Sequence, residues 1–162
     1  MSIIERIYTV FFIMFFLVFV DQLTKTLALA HLPKHETFSY LNDLIRIGVY
    51  ENKGAFLSIG SQLSEFTRFL IFTVAVGGGL ICLLSYLIIN SNQSRISLIS
   101  LSVVFSGGLS NFYDRIANNG AVIDFLNVGI YSFRTGIFNF ADVFIMIGVF
   151  IYLLINSIGK EF

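Results

Sequence analysis

Hydrophobic and polar positions along this chain follow two different periods. On the long scale, four stretches are apolar and free of charge over lengths close to the roughly 20 residues needed to cross a hydrocarbon core. The first runs from Ile7 to Val20, is interrupted by Asp21 and Lys25, and resumes from Leu27 to Leu32. The second runs from Phe69 to Ser94, the third from Ile96 to Tyr113 and the fourth from Val143 to Gly159. This pattern predicts four transmembrane helices, with Gly77, Gly78 and Gly79 of the second expected to allow close helix contact. On the short scale, Pro33 to Gln62 carries His35, Glu36, Asp43, Arg46, Glu51 and Lys53 among runs such as Leu44-Ile45-Arg46-Ile47-Gly48-Val49-Tyr50. Alternation of that kind predicts a small sheet on the membrane surface, between spans one and two. A second polar stretch, Asn118 to Asn139, joins spans three and four. With four spans, both connections lie on one side of the membrane and both termini on the other. Arg6 before an apolar run has the look of a signal peptide, but no small-residue cleavage site follows, so the segment is expected to remain as the first span. No repeat or low-complexity linker divides the chain, and residues 1–162 read as one all-α membrane domain with a small β-sheet.

Composition agrees with that class and removes others. Of 162 residues, 56% are hydrophobic and 12% charged, about half the roughly 25% charged residues of a soluble domain. Lys and Arg number 10, as do Asp and Glu, giving zero formal charge. A disordered tail needs low hydrophobicity and a nucleic-acid binder usually needs a basic excess, so neither class fits. The single Cys82 cannot form an intramolecular disulfide and reads as an apolar filler, and the two histidines lack neighbours at ligand spacing, so no metal or other cofactor is expected. The 19 phenylalanines are expected to face lipid and neighbouring helices. Charge bias points the other way from the orientation adopted below. Arg6, Arg95 and Lys160 lie on the side of the termini, against Lys34, Arg46, Lys53, Arg68 and Arg134 on the side of the two connections. Acidic residues share that second side and weaken the bias.

Charges within such an apolar chain carry the chemistry, because one at the bilayer centre costs about 2.5–3.5 kcal/mol on insertion scales. Asp21 and Lys25 are four apart, on one helix face, and can pair. Asp114-Arg115 ends span three and Asp142 begins span four, while Asp124 sits in the apolar string Ala121-Val122-Ile123-Asp124-Phe125. Burial of an acid raises its pKa, and two such acids together can share a proton. One would then act as base on a water, the other as acid toward a carbonyl oxygen. Asp114, Asp124 and Asp142 compete for those two places, and the basic neighbour of Asp114 gives it an expected role in a salt bridge. Asn111 and Asn139 each precede an aspartate by three and can share its helix face. Asn139 can also cap span four, and Asn52 before Lys53-Gly54 reads as a turn. A proton-coupled transporter and a non-enzymatic scaffold are the competing readings of the same charges. The transporter would be expected to carry internal symmetry, and none is visible.

Taken together, five strings resemble the bacterial lipoprotein signal peptidases, or signal peptidase II. They are Val20-Asp21-Gln22-Leu23-Thr24-Lys25, Glu51-Asn52-Lys53-Gly54-Ala55-Phe56, Gly107-Gly108-Leu109-Ser110-Asn111-Phe112-Tyr113-Asp114-Arg115, Val122-Ile123-Asp124-Phe125 and Phe138-Asn139-Phe140-Ala141-Asp142. They stand in the family's order across nearly the whole chain. The resemblance implies an aspartic endopeptidase of the bacterial inner membrane that removes the signal peptide of prolipoproteins just before a diacylglyceryl-modified cysteine. It implies Asp124 and Asp142 as the catalytic pair, with Asn111, Asp114 and Arg115 in support, and Asp21, Lys25, Asn52, Gly54, Asn139 and Ala141 shaping the site or touching substrate. It further implies cytoplasmic termini, a periplasmic β-sheet cradle, and a monomer whose partners are the prolipoprotein and membrane lipids, without nucleic acid. The chain departs from the family pattern twice. Phe56 and Leu57 follow Gly54-Ala55 where a second small residue is common, and Ser110 replaces a Gly before Asn111.

Overall fold

The computed structural model describes residues 1–33, 36–55 and 59–158. Phe56 and Leu57, expected from the resemblance to depart from the family pattern, lie outside the described residues, as do Ser58, Lys34, His35, Gly159 and Lys160. Four helices among the described residues are long and apolar enough to cross a membrane. They are α1 (Ile3–His31), α2 (Glu65–Ile89), α3 (Arg95–Ala117) and α4 (Phe140–Ile158). The first span is one uninterrupted helix through Asp21 and Lys25.

Local chemistry starts each helix. Ser2 and Glu5 form a reciprocal capping box on α1, which satisfies two of the free N–H groups at a helix start. Ser64 and Ser94 accept from the backbone N–H groups of Thr67 and Ser97 at the starts of α2 and α3. At the opposite end of the bundle from the acids, buried Arg6 donates to the Leu87 carbonyl at 2.7 Å, placing a cation on the last turn of α2, where the helix dipole favours it. Between Phe69 and Ala75, α2 widens into a π-helical stretch.

In lipid, apolar side chains gain little by meeting one another, so helix association depends on close packing and polar contacts. α3 is the central helix, with the small residues Ser97, Ser100, Ser102, Ser106, Gly107 and Ser110 buried along it. It packs most extensively on α4. A Cβ at Gly107 would lie 2.5 Å from the Ala141 carbonyl oxygen, and one at Gly148 would lie 2.6 Å from that of Ser100. Of the glycine run in α2, only Gly77 faces a neighbouring helix closely, since its Cβ would lie 3.0 Å from the Phe112 ring, whereas a Cβ at Gly78 or Gly79 would meet nothing within 4 Å. An apolar cluster of Val10, Leu87, Leu98 and Phe105 fills the half of the bundle nearer Arg6. Cys82 and many phenylalanines, including the stacked ladder Phe11, Phe15 and Phe19, face outward.

The sheet departs from the sequence expectation. It has four antiparallel strands in the order β1 (Phe38–Tyr40), β2 (Ile45–Asn52), β3 (Val122–Ile130) and β4 (Phe133–Arg134). Half of it therefore comes from the connection between spans three and four, which the polar pattern leaves without strands. The cause is burial: Val122, Ile123, Asp124 and Phe125 are all buried, so this part of β3 lacks the alternation of a strand with one wet face. β2 pairs with β3 from Ile45↔Val128 to Asn52↔Val122, with a register shift between Ile47 and Tyr50. Near the root of β3 the pairing brings Asn52 and Asp124 together.

Candidate functional site

The acids gather where α1, α3 and the start of α4 meet β3. Asp21 and Lys25, one turn apart on α1, form an ion pair of 2.7 Å, and both are almost fully buried. Lys25 reaches across to Asp114 on α3 at 2.9 Å and donates to Asn111 Oδ1 at 3.0 Å. Asp21 accepts from the Ser110 hydroxyl at 2.7 Å and from the backbone N–H of Ala141 at 2.9 Å. Asp114 accepts from Gln22 Nε2 at 2.8 Å and from the Ile123 N–H at 3.0 Å. One lysine and two carboxylates thus join α1, α3, α4 and β3. Asp114 is in a salt bridge as expected, but its partner is Lys25 from another helix rather than the adjacent Arg115. The reason is helical geometry, since consecutive residues diverge by about 100° around the axis.

Asp124 and Asp142 are held differently. Asp124, only 2% exposed, accepts from Asn52 Nδ2 at 2.9 Å and from Asn139 Nδ2 at 2.7 Å. Asp142 accepts from Asn111 Nδ2 at 2.9 Å and from the backbone N–H of Asn139 at 3.2 Å. Asn139 therefore touches both acids, one through its side chain and the other through its backbone. Its Oδ1 also accepts from the Asp142 N–H at 3.0 Å, so the capping role expected of it is present as well. Asn111 turns toward Lys25 and Asp142, not toward the Asp114 that shares its helix. Neither Asp124 nor Asp142 forms an ion pair among the described residues. Burial pushes the Asp124 carboxyl up from 3.8 to about 6, against the opposing pull of the Asn52 hydrogen bond. Two carboxyl groups bridged by neutral amides can hold one proton between them.

Arg115 donates to the Gly54 carbonyl at 3.0 Å and to the Asn111 carbonyl at 3.3 Å. Its guanidinium lies 5.7 Å from the centre of the Phe72 ring, on the π-helical stretch of α2, within range of a cation–π contact. Gly54 N–H in turn donates to Asn52 Oδ1 at 2.9 Å, so the turn holds the asparagine as well as the arginine. Ala141 is fully buried against α3. A cleft of about 270 Å³ between α2, α3 and α4 is lined by Asn111, Arg115 and Asp142 together with Phe72, Val76 and Met146. Asp124 does not line this cleft.

Two contributors escape the sequence reading. Gln22 donates to Asp114 and to the Ser110 hydroxyl, and Ser110 acts as donor to Asp21, not merely as a small residue. A glutamine amide retained beside Asp21 in an apolar helix is the signal that could have marked the first. Ser110 carries no such signal, because its partners lie 88 and 89 positions away.

Comparison with known proteins fits this geometry. The model of a family described as Signal peptidase (SPase) II matches residues 13–158. The chain belongs to the signal peptidase II family. Among its relatives, the lipoprotein signal peptidase of Borreliella afzelii (strain PKo) is 32% identical, with 97% of this chain and 94% of the relative covered. That of Borrelia hermsii (strain HS1 / DAH) is 32% identical over 91% of this chain and 88% of its own. A solved bacterial membrane enzyme, determined by the in meso method at 2.3 Å resolution, superposes with a TM-score of 0.78 at 30% identity. It covers 96% of this chain and 90% of the other. A second, at 1.9 Å resolution, gives 0.74 at 31% identity, covering 91% and 92%. This signal peptidase II relative is thus a multi-pass membrane protein from a family of proteases.

Proposed function

We propose that the protein is an aspartic endopeptidase that cleaves prolipoproteins immediately before their diacylglyceryl-modified cysteine, with Asp124 and Asp142 as the catalytic pair. The observation that carries this reading is the bridge through Asn139: two acids from different elements share one asparagine, and neither forms an ion pair among the described residues. A carboxyl fixed as a salt bridge cannot easily exchange protons, whereas one held by amides can.

Cleavage then proceeds without a covalent enzyme intermediate. The ionised carboxylate of the pair takes a proton from water, and the water oxygen bonds to the scissile carbonyl carbon. The protonated carboxyl gives its proton to the carbonyl oxygen. Collapse of the tetrahedral species breaks the C–N bond as the cysteine nitrogen takes the proton held by the first acid, and the second acid regains its own from the hydroxyl oxygen. The products are a signal peptide ending in a carboxylate and a lipoprotein beginning with an amine. Arg115 has an Nε without a hydrogen-bond partner among the described residues and lines the same cleft as Asp142, which suits it to hold a substrate carbonyl. Apolar Phe72, Val76 and Met146 suit a lipid-modified peptide arriving sideways from the bilayer. On this reading the sheet and the acids are periplasmic, both termini are cytoplasmic, and the enzyme works as a monomer.

The test is a gel-shift cleavage assay with purified protein in detergent and a diacylglyceryl-modified prolipoprotein. Wild type should cleave before the modified cysteine, while Asp124→Asn and Asp142→Asn should each be inert though folded. Turnover by either variant would remove that acid from the pair, and an inert, folded wild type would favour a transporter or scaffold.

A further inference from the structure

Arg115 borders two cavities, and only one of them holds an acid of the pair. The first is the cleft lined by Asp142. The second, of about 360 Å³, opens between the first turns of α2 and the end of α3, where Glu65, Arg68, Thr73, Arg115 and Asn119 line it. Among the described residues Arg115 is the one lining residue that the two cavities share. It therefore stands at the boundary between the reacting end of the cleft and a second, polar pocket.

Two guanidiniums and one carboxylate line this second pocket, and they do not pair with one another. Neither Arg68 nor Arg115 forms an ion pair among the described residues. Glu65 lies in the first turn of α2, where the helix dipole favours an acid. Arg68 uses only Nη1 on the protein, donating to the Ser61 carbonyl at 3.0 Å and the Leu63 carbonyl at 2.8 Å. Its Nε and Nη2 meet no protein acceptor among the described residues. Arg115 likewise keeps a buried Nε without a partner. Guanidinium donors left open in a partly enclosed pocket suit a planar anion such as a carboxylate.

Peptide cleavage supplies that anion at the neighbouring cavity. It creates a carboxyl group beside a pair of acids that again carries one negative charge. Once the new carboxyl ionises, giving its proton to the new amine, the ionised acid of the pair repels it. The nearest cation lining the cleft is Arg115, and beyond it lies the pocket of Arg68. We propose that this pocket receives the C-terminal carboxylate of the cleaved signal peptide, with Arg68 as a product-binding residue. The inference rests on the peptidase reading above and extends it to the product. Moving the carboxylate off the acids clears them for the next water and disfavours resynthesis of the bond. A lipid phosphate offers similar chemistry, but the shared Arg115 joins the pocket to the place where a carboxylate is made.

The test is binding of a labelled signal peptide, ending either in a carboxylate or in a carboxamide, to the full-length protein in non-ionic detergent at neutral pH, read by fluorescence anisotropy. Wild type should bind the carboxylate form about tenfold more tightly than the amide, the scale of one charge-assisted contact. Arg68→Gln keeps a donor for the Ser61 and Leu63 carbonyls but removes the charge. It should bring the two affinities to within about threefold of each other while leaving that of the amide form unchanged. Arg68→Lys should restore most of the difference. Equal affinity of wild type for the two forms overturns the proposal. So does an Arg68→Gln loss that falls equally on both, which would make Arg68 only a support of its turn. Competition by phosphatidylglycerol, and not phosphatidylcholine, against the carboxylate form alone would assign the pocket to a lipid phosphate and overturn the proposal as well. A protein that cleaves prolipoprotein yet binds both peptides alike would refute this inference alone, whereas a folded protein that cleaves nothing would refute the peptidase reading.

Discussion

Asp21 and Asp114 share one lysine, whereas among the described residues Asp124 and Asp142 are held by side-chain amides and a backbone N–H. The two pairs belong to one polar cluster, with Asn111 touching Lys25 on one side and Asp142 on the other. What differs is the partner. A cation in contact with two carboxylates anchors the elements it joins. Amide donors fix a carboxyl's position while leaving a proton exchangeable. One pair therefore serves as the mechanical joint of the bundle, and the other is the pair proposed to carry the chemistry.

Substitutions can break that contrast from either side. The largest expected effect is on turnover: Asp124→Asn or Asp142→Asn should lower kcat by about 10³-fold or more, within the range of acid–base contributions and their coupled loss. The thermal midpoint should move little, since an amide can keep part of the hydrogen bonding. Lys25→Met should do the reverse. It leaves Asp21 and Asp114 buried without their cation, an arrangement that costs about 3–5 kcal/mol, so the folded yield and thermal midpoint in detergent should fall sharply. A fully stable Lys25→Met protein would erase the distinction between joint and reactive pair.

Smaller changes sharpen the comparison. Asn52→Ala removes a hydrogen bond that favours the ionised form of Asp124, so this carboxyl should hold its proton to a pH above the present value of about 6. Activity should drop about tenfold, or about 1.4 kcal/mol of transition-state stabilisation, and the alkaline limb of the pH–rate profile should move upward. A limb that moves to lower pH would contradict the assigned donor. For stability the sign follows from the same shift. The folded protein keeps this proton above the ordinary 3.8, so stability attributable to Asp124 declines as pH rises from about 4 to about 6. The smallest effect belongs to Ser110→Gly, which removes the hydroxyl and keeps the small volume that close helix packing needs. Loss of its bonds to Asp21 and Gln22 should cost about 1 kcal/mol, read as a modest fall in thermal midpoint.

Legibility of the site varied with the separation of its parts along the chain. The Asp21–Lys25 contact is legible because it spans one helical turn, and the Asn139–Asp142 cap for the same reason. The partner of Asp114 is not: its adjacent Arg115 is the nearer cation in sequence, but on the helix it faces Gly54 and Phe72, while Lys25 from α1 fills the place. Asn52 reads only as a turn residue until β2 and β3 pair and bring it to Asp124, 72 positions away. Three of the five basic residues that bias the orientation count have local partners. Arg46 and Arg134 meet Asp43, and Arg68 donates to the Ser61 and Leu63 carbonyls.

By itself the sequence determined the four spans, because crossing a membrane depends on the summed hydropathy of contiguous residues, a local quantity. It also determined which residue types were scarce enough in an apolar chain to matter, since each charge retained there carries a free-energy cost. Only the tertiary structure decided how those charges divide. Asp21 meets the N–H of Ala141 across 120 positions, and the sheet that brings Asn52 to Asp124 is assembled from two separate connections. The division depends on distances of about 3 Å between groups on different elements, and no local pattern along the chain encodes them.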